Sequence, residues 1–297
     1  MATDEVVGSV AGLWRFPVKS MKGELLDAVE LAADGLVGDR AYALIDVDTG
    51  KVASAKSVRS FAGLLSCGAA FVEPPQPGSE VPPVRITLPD GASVTSDSGD
   101  AQRVLSAFFR RNVRLARSAP EDFTIDQYHP DVEGADPAGH RDAVVEAKLG
   151  AALFAGIGAP SPVASGSFFD VFPVSVLTTS TMTQLHQLQP ASRFDVHRFR
   201  MNVIVDTVDT GFVENSWIDR ALVLGAAARL QVAMPDPRCV MTTLAQYDLP
   251  GDTEVLRALV RHNRLDLGPL GLYPCAGVYA VVARPGTIRT GDRVSLA

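Results

Sequence analysis

Reactive thiols are scarce in this chain: Cys67, Cys239 and Cys275 are the only cysteines among 297 residues, so thiolate chemistry has three candidates. Cys239 stands apart by its neighbours, Pro235-Asp236-Pro237-Arg238 before it and Val240-Met241-Thr242-Thr243 after it. A thiolate is both a nucleophile and a metal ligand, and a flanking guanidinium stabilises it. Free cysteine is also among the most buried residue types, so Cys239 alone reads equally well as a small core hydrophobe. Cys67, inside Leu64-Leu65-Ser66-Cys67-Gly68, reads as buried, and Cys275, between Pro274 and Ala276, as structural.

Three further motifs carry polar groups that a core does not require. In Phe16-Pro17-Val18-Lys19-Ser20-Met21-Lys22-Gly23-Glu24 a strand ends and exposes Lys19 and Ser20. In Gly35-Leu36-Val37-Gly38-Asp39-Arg40 two glycines allow tight bends before a charged pair. In Arg198-Phe199-Arg200-Met201-Asn202, Arg200 and Asn202 share a face if the segment is extended. Singly, these are a solvated strand end, a turn with a local ion pair and a surface arginine. Together they supply cations and amide or hydroxyl donors suited to a phosphate-bearing anion, which arginine binds bidentately and lysine as a point charge.

The elements that must position these groups read mostly as short strands. Val6 to Arg15, Ala28 to Leu31, Arg40 to Ile45 and Val84 to Leu88 are strand candidates, the last closed by the turn Pro89-Asp90-Gly91. Ala101 to Arg111 has helical spacing. Glu73 to Pro83 holds five prolines and reads as an exposed connection. Ser118 to Ala143 shows little periodicity and reads as a long surface segment, a kind that is functional or disordered. Further on, Phe172 to Thr179, Arg200 to Val205, Leu222 to Leu224 and Gly277 to Ala283 read as strands, with helices over 180–189 and 252–263, the second capped by Asp252. The triplet His140-Arg141-Asp142 matches a kinase catalytic loop only by chance, since no glycine-rich loop or Asp-Phe-Gly accompanies it.

Composition narrows the classes. A net charge of −7 disfavours a nucleic-acid binder, whose footprint is basic, and makes a local cluster of Lys and Arg more telling. No run approaches the about 20 apolar residues of a membrane-spanning helix, so no membrane segment is expected. The acidic N-terminus lacks a signal-peptide pattern, and an odd, small cysteine count fits a reducing compartment, hence the cytoplasm.

The four motifs, in this order, with the tail Gly277-Val278-Tyr279 and Pro285-Gly286-Thr287-Ile288, resemble a MOSC-domain protein preceded by the MOSC N-terminal β-barrel domain. This is the family of the amidoxime-reducing components, bacterial homologues and the C-terminal domain of molybdenum cofactor sulfurases. The resemblance implies a mainly β (α+β) fold: an N-terminal MOSC-type β-barrel domain over 5–120, a connecting segment over 121–160, and a β-barrel MOSC domain over 161–297 with a few peripheral helices. It implies a molybdenum cofactor (Mo-molybdopterin), with Cys239 as metal ligand and catalytic residue, or as persulfide carrier in sulfur-transfer members. Lys19, Ser20, Arg40, Arg200 and Asn202 match positions that hold the pterin and its phosphate. Tyr279 matches a cofactor-side tyrosine, Arg238 the arginine before the ligand cysteine, and Thr178 and Thr179 lie near a phosphate-contacting position. A soft thiolate beside a dithiolene suits such a metal. The implied activity is reduction of N-oxygenated small substrates; sulfur transfer and non-catalytic cofactor carriage are the alternatives. Two departures stand out: Met201 replaces a common proline, and Leu244-Ala245 replaces Val-Asp, which removes a carboxylate and suggests a distinct subgroup. Three cysteines are too few for a fused plant-type ferredoxin, so a separate electron-donor protein is expected.

Overall fold

The computed structural model describes residues 5–297. Its centre is a closed barrel of seven strands: β1 (Glu5–Arg15), β2 (Val174–Thr178), β3 (Val203–Thr207), β4 (Ala221–Leu224), β5 (Ala228–Pro237), β6 (Leu272–Arg284) and β7 (Arg293–Leu296). The order around the ring is β2-β3-β1-β7-β4-β5-β6, and β6 closes back on β2. A ring with an odd number of strands cannot alternate direction throughout, so one neighbouring pair must run parallel. That pair is β2 and β3, in the register Val176↔Val203 and Thr178↔Val205. Parallel neighbours need a long crossover, here the helices Thr179–Leu188 and Val196–Phe199. They pack outside the barrel with the helix Glu254–His262 through Leu185, Phe199, Val255 and Leu259.

The barrel interior is apolar, with Val10, Val176, Val205, Leu222, Leu230, Val278 and Val294 meeting at its centre. In β1 the buried residues Val7, Val10 and Leu13 recur every third position, because bulges beside Gly8 and Gly12 shift the two-residue phase. Gly277 in β6 has φ +81, and a Cβ there would lie 2.5 Å from the Val176 carbonyl on β2, so barrel closure at this crossing requires glycine.

Much of the rest of the chain before residue 120 builds a second core around Leu44, Leu64, Leu65, Ile86 and Leu105, while Val29, Leu31 and Leu36 pack on the barrel and Ala43, Ile45 and Ala116 on Phe123 and Ile125. Its sheets pair Gly68–Phe71, Val84–Thr87 and Ser93–Thr95, and separately Ala43–Asp46 with Val113–Ala116. Met241, with the partly buried Cys239 and Leu244, packs onto this core. The fold is thus mainly β: a closed seven-stranded barrel joined to an N-terminal core of smaller sheets. The sequence units are not spatially separate: β1 lies between β3 and β7, and Gly286–Arg289 pairs with Ala28–Ala32.

Two expectations change. The segment read as an unstructured surface stretch contains the strand Thr124–His129, paired with Ala143–Lys148. Arg200 is not extended: it ends the Val196–Phe199 helix in the left-handed region, φ 54, and the strand begins at Val203. No helix among the described residues is long and apolar enough to cross a membrane.

Candidate functional site

Four chain segments meet at the seam between the barrel and the N-terminal core. After β1, the chain runs on extended, Tyr42 N–H donating to Pro17 O at 3.0 Å and Lys19 N–H to Tyr42 O at 2.8 Å, which brings Lys19 and Ser20 inward. Gly38, at φ +84, turns Asp39 and Arg40 toward the same place. The left-handed Arg200 brings in its side chain, which donates to Met21 O at 2.7 Å and lies 4.3 Å over the Phe16 ring. Register shifts along β5 bend it before Asp236, Arg238 and Cys239. Ser20, Arg40 and Arg200 all have positive φ without being glycine. Such backbone costs about 1–3 kcal/mol per residue and persists where the surroundings impose it.

These segments enclose two adjoining cavities of about 60 and 80 Å³. Arg40, Asp170, Ser175, Arg200, Met241 and Tyr279 wall both; Lys19, Ser20 and Asn202 line the first, and Lys56, Asp236, Arg238 and Cys239 the second. A larger cleft of about 270 Å³ beside the proline-rich connection touches Asp39 and Arg40 but not the thiol.

The charge balance is positive. Lys19, Arg40, Lys56, Arg200 and Arg238 line the two cavities with two carboxylates, Asp170 and Asp236, while Asp39 is buried as the ion-pair partner of Arg40. Asp170 holds both ammonium groups, Lys19 and, at 2.7 Å, Lys56, and their charges keep its carboxyl far below the usual range despite its burial. Burial, reinforced by Lys56 and Arg40, brings Lys19 down to about 8. Burial and the nearby Arg40 bring Arg200 down to about 10. Burial raises Asp236 to about 6 against the pull of its ion-pair partner Arg238. Arg238 Nε and Asp236 Oδ1 are buried with no hydrogen-bond partner, an arrangement that native interiors rarely leave unanswered.

Cys239 is the only one of the three cysteines that is not fully buried, and its residue lines the second cavity. Burial pushes the Cys67 thiol up to about 11 and the Cys275 thiol up to about 12, so both stay protonated.

The structure brings Lys19, Ser20, Arg40, Arg200, Asn202, Arg238, Cys239 and Tyr279 together. Asn202 uses its amide within the protein: Nδ2 donates to Trp14 O and Asp39 Oδ2, and Oδ1 accepts from Ser175 N–H and Oγ–H. It acts first as a tie between the Gly38-Asp39-Arg40 turn and the start of β3. Thr178 and Thr179 lie elsewhere. Thr178 Oγ1 donates to the buried Glu214 at 2.7 Å, and Thr179 Oγ1 donates to Asp206 at 2.8 Å. Glu214 also accepts from Thr181 and Gly277, so Thr178 belongs to a buried knot at the end of β2. Sequence reading missed Lys56, Asp170, Ser175 and Asp236. Of these, Asp236 alone carried a local signal, its place two residues before Arg238.

Ala245 is exposed and lines none of the cavities around Cys239.

Comparison with known proteins follows this geometry. The model of the MOSC domain matches residues 165–295, and that of the MOSC N-terminal beta barrel domain matches residues 7–62. Mitochondrial amidoxime-reducing component 1 of Homo sapiens is 24% identical over 98% of this chain and 83% of its own length. The protein of the same name from Mus musculus is 26% identical over 98% and 82%. Among solved structures, the YUAD protein from Bacillus subtilis aligns over 97% of this chain and 94% of its own, with TM-score 0.40 and 12% identity. Both domain models fall on the segments that meet at Cys239, and the chain belongs to the MOSC-domain proteins that carry the N-terminal MOSC barrel domain, homologous to the mitochondrial amidoxime-reducing components.

Proposed function

We propose that this chain is a molybdenum-cofactor oxidoreductase that reduces N-oxygenated small substrates, with Cys239 as the protein's metal ligand. The observation that carries this reading is a half-buried thiol on the wall of one of two adjoining cavities whose walls together hold five cations and two carboxylates. A net-cationic cavity suits a phosphate-bearing anion, and one thiolate is the soft donor that a pterin-bound metal lacks from the protein. The unpartnered Arg238 Nε and Asp236 Oδ1 fit the same group, since a bound polar ligand satisfies both.

On this reading Lys19, Arg40 and Arg200 hold the anionic end of the cofactor, and Arg238 and Lys56 stand beside the thiol. Phe172, stacked on Tyr279 at 5.4 Å between ring centres, forms an apolar wall. The bound cofactor supplies two electrons. Cleaving an N–O bond to amine and water also consumes two protons, and Asp236, raised to about 6, sits where it can hold one. Electrons then come from a separate donor protein. Three free thiols support a reducing compartment such as the cytoplasm, while the relatives' names place them in mitochondria.

The test is metal and pterin content after expression in a cofactor-competent host, followed by reduction of an amidoxime with an artificial donor. About one molybdenum per chain is expected, lost in Cys239→Ala. Wild-type metal content in that variant would falsify the assignment. Persulfide on Cys239 without redox turnover moves the assignment to sulfur transfer, and bound cofactor without turnover moves it to carriage.

A further inference from the structure

Cys239 also lines a third, smaller cavity of about 30 Å³, with His129, Asp136 and His140 on its wall. The hairpin missed at the sequence level builds it. Its strands end at the pair His129↔Ala143, and residues 130–142 fold back so that Asp136 and His140 return to the strand end. Gly134 and Gly139, both at φ +78, and Asp142, at φ 44, shape this loop. It is docked on the C-terminal half of the chain, with Gly134 against Val260 and Pro137 against Gly271.

The three side chains converge. His140 Nδ1 lies 2.6 Å and His129 Nδ1 3.8 Å from the same oxygen, Asp136 Oδ2, and the three donor atoms all fall within 4.8 Å of one another. The Asp136 carboxylate is 8% exposed, and no Lys or Arg among the described residues makes an ion pair with it. The same oxygen, Oδ2, also accepts the His140 backbone N–H at 3.0 Å, which holds the carboxylate against the imidazole. Buried charges are paired or coordinate metals.

We propose that His129, Asp136 and His140 form a three-ligand site for a divalent transition ion of the zinc class, with its open position facing the cavity beside Cys239. Two imidazoles and a carboxylate are a borderline nitrogen and oxygen set, suited to zinc, iron or nickel rather than to calcium or magnesium. Ligand bonds of about 2.0–2.2 Å in a tetrahedron place donor pairs about 3.4 Å apart. The 2.6 Å pair must therefore open and the 3.8 Å pair close, each by under about 1 Å. His140, with 41% of its side chain exposed, is free to make that swing. The cavity has room for one water as fourth ligand.

The inference does not depend on the molybdenum reading, and its test is separable from it. Co²⁺, which reports its ligands by absorption, is titrated into the tag-free full chain and then displaced with Zn²⁺. Wild type and Cys239→Ala are expected to bind one equivalent with visible bands of a four-coordinate site and no thiolate charge-transfer band. His140→Asn, at a half-exposed position that leaves folding intact, and the double variant with His129→Asn are expected to weaken binding at least about tenfold, while molybdenum content stays at wild-type level. Undiminished Co²⁺ binding in the double variant overturns the proposal. So does loss of binding in Cys239→Ala, which places the ion on the thiol. Absence of uptake overturns it too, leaving Asp136 and His140 as a hydrogen-bonded pair.

Discussion

The barrel interior and the seam beside it are built from opposite materials. Inside the barrel, aliphatic side chains from all seven strands meet in one apolar cluster. At the seam, five cations, two carboxylates and three strained non-glycine residues line two adjoining, partly open cavities. Burying apolar surface stabilises at about 25 cal/mol per Å², whereas a buried ion pair at best offsets its own desolvation. The barrel therefore supplies stability that the seam consumes. A seam with more positive than negative charge is worth keeping only if an anion completes it.

Substitutions that act on one region and not the other test this contrast. Leu230→Ala, at a fully buried barrel position, is expected to cost about 3 kcal/mol in chemical unfolding and to leave sulfate affinity unchanged. Asp170→Asn removes the carboxylate shared by Lys19 and Lys56 and is expected to cost about 2 kcal/mol. That is less than for a fully enclosed pair, because the carboxylate is partly open to the cavity. Thermal scans with added sulfate separate the two cases: the anion should restore much of the loss in Asp170→Asn and none in Leu230→Ala. Equal rescue of both breaks the comparison.

A smaller effect follows from Lys19. Its lowered pKa of about 8 means the ammonium is present below that pH and lost above it. Sulfate, which does not titrate in this range, should bind several-fold more weakly at about pH 9 than at about pH 7. Lys19→Met should bind weakly at both, with the pH dependence gone, as calorimetry can show. The smallest effect is expected for Ala245→Asp. The residue is exposed and outside the cavities, so stability should change by under about 0.5 kcal/mol and molybdenum content not at all.

Much of the site was legible in the sequence because its residues sit in short motifs next to turn formers. Gly38 turns Arg40 in, and the prolines around Asp236 mark where β5 bends. The partners that neutralise those residues were not legible. Lys56 and Asp170 lie far apart in the chain and meet only through folding, with no local pattern to pair them. Thr178 and Thr179 look like phosphate ligands by composition, yet their hydroxyls answer Glu214 and Asp206. In the fold, period-two strands were found where one face is apolar. The hairpin at Thr124–His129 was missed because polar Asp126, Gln127 and His129 break its alternation. That β1 pairs with strands that begin at Val203 and Arg293 could not be read locally, since pairing leaves no mark on either strand alone.

The position of β1 has a consequence for biosynthesis. Its neighbours β3 and β7 are translated long after it, β7 last of all. On the ribosome β1 can pair early only with Glu24–Leu26, through its last three residues, and the barrel cannot close before β7 is made, so the rest of the strand waits for its partners. Contacts this distant in sequence fold slowly and leave strand edges exposed meanwhile. The cluster around Leu44, Leu64 and Ile86 draws on residues before 120 apart from the Cys239–Leu244 segment, whereas the Ala43–Asp46 strand also packs Ala43 and Ile45 on Phe123, Ile125 and Phe168, so only part of the N-terminal core can form early. The cavity around the thiol needs Tyr279 on β6, so Cys239 and its surroundings come together late in synthesis.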